Sequence, residues 1–197
     1  MIKFYQNREL SECLGIRLSR WKRWSREFLP PDPLGGLQSG YARQYTFSQA
    51  FTVYLGGHLV SNLGYSIPET RQILDDLEEW VKEKECEICH PDDRNGLDCR
   101  ENAQQIRLYI FKRPDPENGV FDFFYIERTI LSDASCQKPY SGCRQEIYIE
   151  KKLATPGFLS LQPGEGDERS AFGDMNRMDS KILYLSELYI LFNGALG

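Results

Sequence analysis

The sequence predicts an α+β chain: a helical N-terminal part that carries a helix-turn-helix, followed by a smaller strand-rich α+β domain. Three observations predict it. Apolar residues up to about Lys84 recur mostly at helical spacing, whereas those from Ile106 onward fall in runs of β-branched and aromatic residues. Charge divides the same way: Met1 to Asp75 holds 9 Lys and Arg against 6 Asp and Glu, and the remainder holds 15 against 23. Finally, Gly15, Pro30-Pro31 and Gly64 stand where periodic stretches stop. A chain of 197 residues with 41% hydrophobic content can bury one large core or two small ones. The expected division is 1–84, a cysteine-containing linker or small metal site at 85–102, and a C-terminal domain at 103–197.

Each element has its own signal. Arg8 to Leu14 reads as a short helix broken by Gly15, and Leu18 to Phe28 as a second helix ended by Pro30-Pro31. Pro30 to Gly40, with three prolines and three glycines, reads as a loop or hairpin. Ser48 suits the N-cap of a helix towards Leu63, with Gly64 as its stop. Ser66 is expected to cap the next helix, with Pro68 in its first turn and Glu69 completing a capping box, and the apolar period fades near Lys84. Cys86 to Arg100 reads as a linker or small site. Strands are expected over Ile106 to Phe111, Val120 to Leu131 and Glu146 to Leu153, and a loop over Gln162 to Arg177. Ile182 to Phe192 is read as a helix, started by Ser180 and stopped by Asn193-Gly194, that packs within the C-terminal domain and helps it self-associate.

The helix Leu18 to Phe28 carries the functional signal. With 3.6 residues per turn, Leu18, Trp21, Trp24, Ser25 and Phe28 share one face, and Arg20, Lys22, Arg23 and Arg26 surround the rest. Arg17 stands just before, and no acid occurs between Arg17 and Arg26. Such a helix packs aromatics on a core and offers cations outward, and the DNA major groove admits a helix of this diameter. The plainer alternative is a solvated basic face on an ordinary core helix. A short helix and glycine turn directly before it make the pair a helix-turn-helix with the second helix as reader.

At this point the run resembles the start of MerR-family regulators. Gly15-Ile16, Lys22, Trp24 and Leu29-Pro30 match that family's turn, reader helix and exit. Gly40-Tyr41 and Arg43-Gln44-Tyr45-Thr46 resemble its wing signature with one extra residue between the parts. Leu63-Gly64-Tyr65-Ser66 resembles its helix junction. The resemblance covers about the first 75 residues and implies a winged helix-turn-helix, a sequence-specific binder of double-stranded DNA and a transcription regulator. It implies a DNA-facing set of Arg17, Ser19, Arg20, Lys22, Arg23, Arg26, Tyr41 and Arg43, with Lys22 on phosphate and Arg43 on the backbone from the wing. Tyr45 is open between a DNA contact and a core tyrosine beneath the wing. The chain departs from the family at Phe28, where glycine is usual, and in lacking a long coiled coil after the domain.

Cys86, Cys89, His90 and Cys99 are the candidate metal ligands, for zinc or an iron-sulfur cluster, with Cys136 and Cys143 as further thiols; incidental thiols in a loop are the alternative. No enzyme is expected: His58 and His90 are the two histidines, and no nucleophile-base spacing or phosphate loop accompanies them. His58 is read as a packing residue. The expected partners are DNA and a second copy of the chain, with RNA polymerase or a small effector as further options. No apolar run or leader points to a membrane, so a cytoplasmic protein is expected. An architectural DNA-binding accessory factor and a protein-gripping adaptor are the rival functions.

Overall fold

The computed structural model describes residues 3–32, 42–89, 105–114, 121–131, 147–153 and 179–197. The described chain is mixed α+β, with two antiparallel sheets. In order it runs β1 (Tyr5–Gln6), α1 (Asn7–Cys13), α2 (Leu18–Phe28), β2 (Gln44–Tyr45), α3 (Phe47–Ser61), α4 (Ile67–Cys89), β3 (Gln105–Pro114), β4 (Phe121–Leu131), β5 (Ile147–Lys152), β6 (Asp179–Tyr184) and α5 (Leu185–Leu196). Among the described residues, no helix is long and apolar enough to cross a membrane. Contacts divide the chain into Met1–Lys82 with Leu188–Gly197, and Glu83–Glu187.

In the first unit, α1 and α2 meet through a Schellman-type turn. Gly15 sits at φ 63°, so its N–H reaches Glu12 O at 3.3 Å and the Ile16 N–H reaches Ser11 O at 2.9 Å. That conformation is nearly free for glycine and costly for a side chain. α2 is bounded as its sequence predicts, and it buries Trp21, Trp24 and Ser25. α3 is apolar on most of its circumference and buries Phe51, Val53, Leu55 and Leu59 among others. Its N-cap is Thr46, whose hydroxyl accepts from the Gln49 N–H at 3.2 Å while Gln49 Oε1 accepts from the Thr46 N–H at 3.1 Å. The expected cap, Ser48, lies inside the first turn, because the threonine-x-x-glutamine box two residues earlier satisfies two orphan amides at once. The box at Ser66 and Glu69 forms as its sequence predicts, with the Ser66 N–H on Glu69 Oε2 at 2.7 Å. α4 then continues to Cys89, beyond the expected fade near Lys84, so residues 86–89 are helical rather than linker. Its apolar residues Leu77, Trp80 and Val81 are buried in this chain.

α2 crosses α3 where α3 has two glycines. A Cβ at Gly56 would fall within 3.0 Å of the Phe28 ring, and one at Gly57 within 3.0 Å of the Trp24 ring. Phe28 thus packs on bare backbone, which is the physical counterpart of finding a large ring at the exit of α2. Alanine normally stabilises a helix interior by about 1 kcal/mol over glycine. Here the sign should reverse: Gly57→Ala is expected to destabilise by about 1–3 kcal/mol through overpacking against a buried ring. Urea unfolding of the variant checks this, and a stabilised protein would contradict it.

In the second unit a four-stranded antiparallel sheet runs in the order β5-β4-β3-β6. Strand alternation sends Ile106, Leu108 and Ile110 of β3 to a buried face. By register, Tyr125 and Glu127 of β4 and Leu183 of β6 share that face. The other face holds Arg107, Tyr109, Arg113, Phe124, Arg128 and Tyr184, and cations stack on rings: Arg128 on Tyr109 at 4.8 Å and Arg107 on Tyr184 at 5.4 Å. Glu127 stands among apolar neighbours but meets Lys84 Nζ at 2.9 Å. The Ile106 N–H donates to Ser186 Oγ at 3.0 Å, beyond the last residue of β6.

Three expectations about the C-terminus need correction. Ile182 lies on strand β6, and Ser180 is a strand residue opposite Phe111, not a helix cap. α5 starts at Leu185 and runs through Asn193 and Gly194 to Leu196. Leu188 to Gly197 cluster with the first unit, so the expected domain at 103–197 does not keep its last ten residues. Tyr189 and Phe192 pack on Phe47 and Phe51 of α3 with ring centroids 5.1–5.6 Å apart, and Phe192 also meets Tyr54. Tyr189 and Phe192 are therefore core of the first unit.

Candidate functional site

The exposed side of α2 presents Arg17, Ser19, Arg20, Lys22, Arg23 and Arg26, all solvent-exposed. Leu18, expected on the core face, is 38% exposed, because it stands in the first turn ahead of the packed region. Trp21 and Trp24 hold the helix by its opposite side, and Trp21 meets Tyr45 edge-on with centroids 5.9 Å apart. The Arg20 guanidinium lies over the Trp24 ring at 5.9 Å, which limits its freedom without neutralising it. α2 has a basic residue, Arg26, in its last turn, where the helix dipole favours it, and no acid in its first.

The far end of α2 is fastened from α4. Arg71 Nε donates to the Glu27 carbonyl at 2.8 Å and its guanidinium pairs with the Glu27 carboxylate. An orphan carbonyl at the helix end is satisfied this way. Sequence reading missed Arg71, since nothing in its spacing points to a residue 44 positions away.

Lys22 and Arg26 line a cleft of about 420 Å³ with Arg43, Asn7, Ser25, Tyr45 and the carboxylate of Asp32. β1 and β2 bring these groups together, pairing Tyr5 with Tyr45 and Gln6 with Gln44. Arg43 donates from Nη2 to the Pro30 carbonyl at 2.9 Å and lies over the Tyr45 ring at 5.5 Å. Tyr45 is 1% exposed, so it is a core tyrosine rather than an open surface contact. Its hydroxyl lies 2.6 Å from Asn7 Oδ1 and 2.7 Å from Ser25 Oγ. Asn7 is a second residue that sequence reading missed; the packing of α1 on α2 and the pairing of β1 with β2 bring it to this cleft.

Tyr41 lies outside the described residues, as do His90, Cys99, Cys136 and Cys143. Cys86 and Cys89 stand on the last turn of α4, and their side chains are outside the described set. Among the described residues, no group of three or more His, Cys, Asp or Glu is placed to hold a metal ion, and Cys13 is an exposed free thiol. His58 is half-buried on α3, and burial holds its imidazole below the usual histidine range.

No protein-family model matches the chain. No curated protein matches it either.

Proposed function

We propose that the first unit is a winged helix-turn-helix of the MerR type that binds double-stranded DNA, and that the chain is a transcription regulator. The observation that carries the reading is the two-sided build of α2. One side is anchored by Trp21 and Trp24, and the other offers five exposed cations between Arg17 and Arg26 with no acid among them. In this reading α2 lies in the major groove, where Arg17, Arg20 and Arg23 early in the helix meet base edges. Lys22, Arg26 and Arg43 gather at one cleft, a suitable place for a backbone phosphate. The tight glycine turn before α2 and the β1–β2 ribbon beside it support the same assignment.

The test is duplex DNA binding over a series of salt concentrations. Lys22→Ala should weaken binding about equally on all sequences and lower the salt slope by roughly one counterion. A full chain that binds no duplex at low salt defeats the reading. Unchanged affinity in folded Lys22→Ala removes Lys22 from the interface.

A further inference from the structure

We infer that the side-chain amide of Asn7 is a neutral phosphate-facing donor of the cleft, positioned by a buried hydrogen-bond chain through Tyr45 and Ser25. The inference rests on the DNA-binding reading of the same cleft. The chain has a defined direction. The Tyr45 hydroxyl donates its single proton to Asn7 Oδ1 at 2.6 Å, so Ser25 Oγ, 2.7 Å away and buried, supplies the other hydrogen bond as donor. Tyr45 cannot swing aside, because its ring is 1% exposed and packed edge-on against Trp21. Asn7 Oδ1 is thereby committed to the core, and the planar amide leaves only Nδ2 on its free edge. Asn7 lines the cleft that Lys22, Arg26 and Arg43 also line. Among the described residues, the Asn7 amide nitrogen donates no hydrogen bond within the chain. Two N–H groups held beside three cations suit a phosphate oxygen, which accepts several hydrogen bonds at once. Tyr45 in this scheme is a positioning residue: it touches no DNA and fixes the amide that does.

A neutral donor and a cation leave different signatures. Counterion release counts charges, so loss of Asn7 should lower affinity without altering the salt slope, unlike loss of Lys22. Asn7→Ala is expected to weaken binding to a random-sequence duplex roughly tenfold at every salt concentration, the cost of one hydrogen bond to a charged group. Asn7→Asp keeps the acceptor that Tyr45 needs and places its charge in the first turn of α1, where it does not harm the helix. It should nevertheless bind more weakly than Asn7→Ala, because a carboxylate then faces the phosphate. Tyr45→Phe should match Asn7→Ala, and the double variant should be no worse than either single one. Circular dichroism establishes that each variant is folded. If Asn7→Ala and Asn7→Asp bind as the unaltered chain does while Lys22→Ala is weakened, the inference fails and the DNA reading stands. If Tyr45→Phe binds normally while Asn7→Ala does not, the positioning chain fails. A full chain that binds no duplex overturns the reading and the inference together.

Discussion

Phe192→Ala is expected to destabilise the first unit by about 3–5 kcal/mol, the usual range for emptying a fully buried aromatic site. Phe192 is 0% exposed and sits in a ring cluster with Phe47, Phe51 and Tyr54. Truncation therefore removes apolar burial and also several ring-edge contacts. Against a typical domain stability of about 5–15 kcal/mol, the loss would be evident in any unfolding curve. The chain reports on this unit selectively, because its three tryptophans, Trp21, Trp24 and Trp80, all belong to it. Tryptophan fluorescence during urea unfolding should thus show a lowered midpoint. Leu191→Ala, at a residue 65% exposed, provides the contrast and should change stability by about 0.5 kcal/mol or less. Equal midpoints for the two variants would mean that the C-terminal helix does not belong to this core.

The same segment marks where sequence reading ran out. Ile182 to Phe192 is apolar apart from Ser186 and Glu187, and a mostly apolar run does not encode which neighbours it meets. Strand pairing with β3 claims Ile182 and Leu183, and α3 claims Tyr189 and Phe192. Both claims depend on contacts many residues away. α2 is the opposite case. Its aromatic period, its unbroken basic side and the prolines after it are all local, so its bounds and its exposed cations were readable from the chain alone. Caps fell between these cases. Ser66 with Glu69 was legible, and Thr46 with Gln49 was equally present in the sequence but lost to a nearer serine. The candidate site divides along the same line. Lys22, Arg26 and Arg43 were legible by charge and resemblance, whereas Asn7 and Arg71 are neutral or distant until the chain folds back on itself.

The second large effect is expected at Lys84. Its ammonium, 8% exposed, meets the Glu127 carboxylate, 5% exposed, at 2.9 Å. Thr129 Oγ1 also donates to Glu127 Oε1 at 3.2 Å, so the carboxylate is held from two sides. Two ions withdrawn from water are costly, and their mutual attraction offsets that cost only while both are present. Lys84→Met keeps the length and the apolar stem of the side chain but removes the ammonium that faces the buried Glu127 carboxylate. The variant should lose about 3–5 kcal/mol. Glu127→Met in the same chain should then restore stability to near the original value, because an apolar pair of similar volume removes both desolvation costs together. That rescue separates an electrostatic penalty from a packing defect, since a cavity or clash at Lys84 would not be relieved by changing Glu127. Calorimetric unfolding of the single and double variants decides the matter. A single variant as stable as the original chain, or a double variant no better than the single one, would show that the pair is not what holds the end of α4 against β4.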